Sequence, residues 1–294
     1  MAIVLITGTS TGIGFETALM FARAGHTVLA TMRNPSRSPE LAAVVAREKL
    51  PIRISQMDVD SDDSVSAGFK AIHHEHGPID VLVNNAGIEM TGTIEELPLS
   101  QFRAVMETNY FGALRCMQAV VPHMRQRRSG CIINVSSVAG RISSSPLTPY
   151  MASKWALEAL SEGLAGEMKM FNVRVAVVEP GITDTEMARR MTGEAAPSPY
   201  PHQARFNSLF AAALKNPVPP SVVAEKIFDV VESGTWQVRH PVGPPAEGFL
   251  QWRNSFTDEQ WAALYSADDD TWYARIEKDF GLDTRPKQAK RAAS

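Results

Sequence analysis

Residues Ile3 to Thr7 have the apolar, β-branched character of a buried strand, and they run without a break into Gly8-Thr9-Ser10-Thr11-Gly12-Ile13-Gly14 and then into an apolar-periodic stretch from Gly14 to Ala24. A strand that turns this abruptly into a helix needs glycines where the backbone bends and where it approaches another group closely. The unpaired N–H groups and the positive dipole end of the helix then favour an anion. Set at the first βα junction, such a turn reads as a cradle for the pyrophosphate of a dinucleotide. Gly8, Ser10, Gly12, Ile13 and Gly14 are its candidate contacts.

The same alternation continues along the chain. Short apolar runs at Thr27 to Thr31, Ile52 to Met57, Val81 to Asn84, Cys131 to Val135 and Val173 to Val178 read as strands. Apolar almost throughout, they suit a parallel sheet covered on both faces. Between them Ser61 to His76, Leu99 to Met124 and Tyr150 to Met170 carry helical spacing. Repeated βαβ units imply an α/β fold with a doubly wound parallel sheet. After about residue 182 the rhythm breaks into proline-rich segments, and residues 183–220 are expected to form a substrate-covering flap, with a helix following from Ser221 to Ser233. One catalytic domain over residues 1–243 and a C-terminal extension over 244–294 are expected, the last ten residues frayed.

Composition narrows the function. The 29 Lys+Arg and 32 Asp+Glu leave a net charge of −3, no basis for gripping a polyanion, so nucleic acid is not an expected partner. The longest apolar run, Met1 to Ile6, is far too short for a membrane span. Cys116 and Cys131 lie in stretches that read as buried helix and strand, with no metal-cage or disulfide spacing. A cytoplasmic location and no metal are the expectation.

Nucleotide choice is written after the second strand, which reads Ala30-Thr31-Met32-Arg33-Asn34. The carboxylate that would take a ribose 2′-hydroxyl is missing, and Arg33 with the Ser10 hydroxyl would embrace a 2′-phosphate. NADP(H) is therefore expected over NAD(H), which stays possible. Asp58 and Val59, after the third strand, are candidates for the adenine; Asp58 would equally cap the helix beginning near Ser61.

Tyr150 and Lys154 stand four residues apart, on one face of a helix. An ammonium about 4 Å from a phenol, at an effective dielectric of about 20, attracts its phenolate by ~4 kcal/mol, enough to bring a tyrosine pKa down by about 3 before desolvation. That would put it within reach of acid–base work near neutral pH.

Taken in order, Thr7-Gly8-x-x-x-Gly12-Ile13-Gly14, Asn84-Asn85-Ala86-Gly87, Asn109, Asn134-Val135-Ser136-Ser137, Tyr150-x-x-x-Lys154 and Pro180-Gly181 resemble the short-chain dehydrogenase/reductase family in its single-domain branch, over roughly residues 3–241. The resemblance implies a Rossmann-like fold and hydride transfer between a nicotinamide cofactor and a carbonyl or alcohol. It implies that Tyr150 is the general acid/base, that Lys154 depresses its pKa and holds the nicotinamide ribose, and that Ser137, rather than its neighbour Ser136, orients the substrate oxygen. Asn109 would hold a water of the proton relay through its backbone. Asn85, Ala86 and Gly87 would pack under the adenosine ribose, the Ile182 backbone would meet the nicotinamide carboxamide, and Thr185 the amide or the diphosphate.

Within the branch, Ala30-Thr31-Met32-Arg33 and Arg239-His240-Pro241-Val242-Gly243 look like members acting on hydroxysteroids and retinoids. Apolar Met187, Met191, Phe206, Leu209 and Phe210 suit a lipophilic ketone or alcohol. Two other readings stand beside this one: a nucleotide-binding sensor or scaffold without catalysis, and an epimerase or dehydratase of the extended relatives. The family also implies a homodimer or homotetramer through the helices at Leu99 to Met124 and Tyr150 to Met170. The region after Gly243 would either cover the substrate mouth or obstruct a tetramer contact.

Overall fold

The computed structural model describes residues 1–285. The expected fraying of Arg285 to Ser294 therefore lies, apart from Arg285, outside the described residues. Seven strands, β1 (Ile3–Thr7), β2 (Thr27–Met32), β3 (Ile52–Gln56), β4 (Val81–Asn84), β5 (Gly130–Val135), β6 (Val173–Pro180) and β7 (Arg239–Val242), form one sheet in the order β3-β2-β1-β4-β5-β6-β7. Every pairing is parallel. Strand order reverses between β1 and β4, which opens a crevice at the carboxyl ends of the strands.

Strand alternation explains the two-faced core. Val4, Ile6, Val28 and Ala30 pack on one side against α1 (Gly12–Arg23), α2 (Pro39–Glu48) and α9 (Pro220–Glu232). Leu5, Leu29 and Leu82 point to the other, against α3 (Asp62–His76), α5 (Gly112–Arg127) and α6 (Thr148–Lys169). Cys116 on α5 is a free thiol inside this layer and Cys131 on β5 a free thiol on the opposite face, both buried as expected, and burial pushes them up to about 12 and about 11.

Two expectations needed correcting, and the segment after residue 182 gained detail. The helix read as continuous from Leu99 to Met124 is interrupted: α4 (Leu99–Met106) passes into a π-helical turn, Glu107–Phe111, before α5 begins. The break around residue 182 holds two helices, α7 (Glu186–Arg190) and α8 (His202–Ala213). Finally, Asp58 does not cap α3. Ser61 does, accepting from Ser64 N–H at 3.2 Å, while Asp58 accepts from Asp60 N–H.

Beyond β7, α10 (Pro244–Asn254), α11 (Asp258–Ser266) and α12 (Asp269–Phe280) gather Phe249, Trp261, Leu264, Trp272, Tyr273 and Ile276 into an apolar cluster of their own. Ile142 belongs to this cluster, and Val138, Ile182 and Leu209 pack against it, so these helices lie on the sheet's carboxyl edge. Among the described residues no helix is long and apolar enough to cross a membrane.

Candidate active site

A cavity of about 1000 Å³ runs across the carboxyl ends of the strands. Gly8, Ser10, Gly12, Ile13, Arg33, Asp58, Val59, Asn85, Ala86, Gly87, Ser137, Tyr150, Lys154, Ile182 and Thr185 all line it. The sequence-derived site is thus brought together, with two exceptions that sit behind the wall and shape it.

The first is Gly14. A Cβ there would lie 2.4 Å from Gly8 O and 2.4 Å from Asn85 Nδ2, so only glycine lets the helix start this close to the turn. Gly8 is equally constrained: its φ is +70° and a Cβ would meet Ala86 Cα at 2.7 Å. Asn85 ties the turn down, its Nδ2 donating to Thr7 O and Gly8 O at 2.9 Å each, while Thr7 Oγ1 accepts from Asn85 N–H and Ala86 N–H at 3.0 Å. At the start of α1 no side chain caps the first N–H groups and no acid stands in the first turn. That end is open to an anion.

The second exception is Asn109, buried in the π-helical turn. Its Oδ1 accepts from Ile88 N–H at 2.8 Å, and its Nδ2 donates to Ile88 O and to Ser153 Oγ, both at 2.9 Å. The extra residue of the π turn swings this amide inward to clamp the loop after β4 against α6. A Cβ on Gly87 would stand 3.8 Å from Lys154 Nζ, which shows how closely that loop meets the lysine.

At the nucleotide end the sequence reading missed Arg37. Asn34 Oδ1 accepts from Ser36 N–H at 3.1 Å and folds Pro35–Arg37 into a 3₁₀ turn that returns Arg37 to the cavity beside Arg33. The signal was Asn34-Pro35, a turn-starting pair. Neither arginine is ion-paired among the described residues.

At the other end Ser137, Tyr150 and Lys154 converge. Ser137 Oγ donates to Pro180 O at 3.3 Å and accepts from Ala139 N–H at 3.1 Å. Lys154 is 4% exposed; its Nζ donates to Val135 O at 2.8 Å and sits 5.5 Å from the Tyr150 ring centroid. The electrostatics correct the expected depression of the tyrosine. Desolvation pushes the Tyr150 phenol up to about 12, against the pull of the neighbouring Ser137 hydroxyl, and the Glu89 charge adds to the rise. Desolvation also draws Lys154 down to about 8, with Glu158 opposing it. Burial outweighs the ammonium–phenol attraction because the lysine itself is reluctant to charge there.

Between this centre and solvent the wall is mostly apolar. Met151, Met187, Met191, Phe206, Leu209 and Phe210 line it from α6, α7 and α8. Phe249, Trp252, Trp261 and Tyr265 close it from α10 and α11, so the C-terminal helices cover the mouth. Glu89, also unread from the sequence, lines it beside Tyr150.

A doubly wound parallel sheet with a glycine-bound turn at its first βα junction and Ser137, Tyr150 and Lys154 lining one cavity at its carboxyl edge is a Rossmann-like architecture. Residues 2–195 match the family model of short chain dehydrogenases. The chain belongs to this family, whose members bind a nicotinamide cofactor. It is similar to an uncharacterized oxidoreductase, YusZ, of Bacillus subtilis, with 33% identity over 89% of this chain and 96% of that protein. It is also similar to human retinol dehydrogenase 8, at 39% identity over 67% of this chain and 64% of that protein. Among solved structures, a gluconate 5-dehydrogenase of Burkholderia cenocepacia in complex with NADP and tartrate superposes with a TM-score of 0.72. It is 25% identical and the match covers 84% of this chain and 95% of that one.

Proposed function

We propose that the protein is an NADP(H)-dependent oxidoreductase that interconverts a lipophilic ketone or aldehyde and its alcohol, with residues 1–243 as the catalytic domain and 183–220 as its flap. The observation that carries the reading is the convergence of Ser137, Tyr150 and Lys154 on one cavity that ends in Ser10, Arg33 and Arg37 at the nucleotide side and in aromatic side chains at the other.

The chain's residues fit the cofactor. The bare N-terminus of α1 suits a diphosphate, Arg33, Arg37 and Ser10 a 2′-phosphate, Asp58 and Val59 an adenine, and Ile182 and Thr185 the carboxamide end. NADP(H), when bound, supplies or accepts the hydride. Tyr150 gives its proton to the carbonyl oxygen as negative charge develops there, or takes the hydroxyl proton in the reverse direction. Ser137 holds the same oxygen with a second hydroxyl. Lys154, fixed to Val135 O, presents its other protons towards the phenol and the ribose, and Asn109 holds the relay water. Tyr150, with its phenol held neutral in the free enzyme, begins the reduction as an acid.

The test is oxidation of NADPH and NADH by the purified protein against retinal, ketosteroids, aryl aldehydes and long-chain ketones. Turnover favouring NADPH is expected. Tight NADPH binding with no turnover across the panel would overturn the assignment in favour of a nucleotide-binding protein without catalysis.

A further inference from the structure

The substrate half of the cavity is lined mostly by apolar side chains, yet two carboxylates line it, Glu186 on α7, paired with Arg190, and Glu89 on the Tyr150 side. Glu89 follows Gly87 by two residues, and Asn109 clamps the intervening Ile88 through both its N–H and its carbonyl. The loop is therefore rigid where Glu89 leaves it, two residues from Gly87, where an added Cβ would stand 3.8 Å from Lys154 Nζ. Its side chain is 14% exposed and its closest cation, Arg190 Nη1, is 3.9 Å away, while the same guanidinium is engaged with Glu186 at 2.5 Å. A carboxyl this enclosed and this weakly paired holds unused acceptor oxygens in a low-dielectric pocket, where a donor is worth most.

We infer that Glu89 selects the substrate, and that the preferred one is a lipophilic ketone, or its alcohol, carrying a hydrogen-bond donor, a hydroxyl or an ammonium, on the carbon next to the reacting one. The inference rests on the proposed reaction and specifies its substrate. Three features of the site support it. Glu89 lines the same cavity as Ser137 and Tyr150 and follows by two residues Gly87, where a Cβ would stand 3.8 Å from Lys154 Nζ, which puts its carboxyl on the side of the carbonyl that Tyr150 protonates; its charge also adds to the rise of the phenol. Burial pushes the Glu89 carboxyl above its ordinary range, against the pull of its own backbone N–H and of the Arg190 charge 3.9 Å away, so a further donor there would offset the cost of keeping it ionised. A substituent on the neighbouring carbon would supply that donor, and an ammonium there would also cancel the charge that opposes ionisation of the phenol. The aromatic wall from α10 and α11 would then receive the apolar remainder.

The experiment compares kcat/KM with NADPH for three dodecyl ketones that differ only next to the carbonyl, where they carry a hydroxyl, an ammonium or a methyl group. The wild type is expected to prefer one or both donor-bearing ketones over the methyl analogue by tenfold or more. In Glu89→Ala that ratio is expected to fall to near one. Glu89→Gln, closer in shape and still an acceptor, should retain much of a hydroxyl preference but little of an ammonium preference, and so tells the two donors apart. Equal rates for all three ketones in the wild type, or an undiminished ratio in both variants, overturns the inference while leaving the reaction intact. A parallel loss on all three with a weakened NADPH Kd would reassign Glu89 to the nucleotide and likewise overturn it. No turnover of any ketone would remove the proposed reaction, and the inference with it.

Discussion

Lys154 is 4% exposed and holds a single backbone carbonyl, so its charge is carried at a cost that shows in stability. Its folded pKa of about 8 lies below the ordinary 10.5, and the unfolded chain binds that proton more tightly. The penalty is fully present below pH 8 and shrinks as pH rises to 10.5, above which both states are neutral. Tyr150 acts in the opposite sense, but only above pH 10, where the unfolded tyrosine ionises and the folded one, at about 12, does not. The Lys154 contribution should therefore rise between pH 8 and 10.5, but Cys116 and Cys131, held up to about 12 and about 11 against an ordinary 9, take stability away above pH 9, so the lysine effect is read as the difference between variant and wild type. Lys154→Met should be more stable than the wild type at pH 7 by on the order of 3 kcal/mol, with the gap closing towards pH 10.5. Urea unfolding across that range checks it, and the same variant should lose turnover. Tyr150→Phe should bind NADPH within a few-fold of the wild type yet lose turnover by 10² or more, read by fluorescence titration and steady-state kinetics. Arg33 and Arg37 are solvent-exposed, so each contact with a 2′-phosphate is modest. Replacing both by alanine should weaken NADPH by about tenfold or more and leave NADH nearly unchanged.

At the scale of elements, the glycine turn shows how far local pattern can reach. Gly14→Ala would drive a methyl into Gly8 O and Asn85 Nδ2, so the turn must open. A large loss of NADP(H) affinity and a Tm several degrees lower are expected, measured by calorimetry with and without nucleotide. Such features were legible because the physical cause lies within a few residues: apolar strand, glycine, helix. Five of the six strands read from sequence were equally plain, being buried on both faces, while β3, at the sheet edge, is buried only at Ile52. What escaped had its cause elsewhere in the fold. The π-helical turn at Asn109 answers to Ile88 and Ser153, residues 21 and 44 positions away, and leaves the helical spacing around it undisturbed. Strand β7 is four residues long with Pro241 at the sheet edge, too short and too polar to announce itself. Arg37 reaches the cavity only because Asn34 bends the chain back, and Glu89 only because Asn109 fixes the loop before it. The expected tyrosine shift failed for a related reason: spacing revealed the pair, whereas burial, which decided the sign, is a property of the whole site.

Across the whole molecule, one cavity couples the sheet to the C-terminal helices, and Trp261 is the joint between them. Its Nε1 donates to Ser143 O at 2.7 Å, its ring packs edge-on against Trp252 and Phe256, and the Arg253 guanidinium lies 5.1 Å from its centroid. The same ring lines the substrate half of the cavity. Trp261→Ala should therefore act twice from one cause. Removing a buried aromatic should destabilise the fold by about 3 to 5 kcal/mol. Loss of the anchor to Ser143 would also free α10 and α11 to move off the mouth, raising KM for long-chain ketones by about tenfold. The nucleotide end, on the far side of Tyr150, touches none of these residues, so the NADPH Kd should change little. Trp261→Phe separates the two effects, since it keeps most of the packing and removes the N–H. If the hydrogen bond to Ser143 positions the cover, Trp261→Phe should recover most of the stability while KM stays raised. If packing alone holds the helices, both should recover together, as read by thermal unfolding and steady-state kinetics on the same preparation.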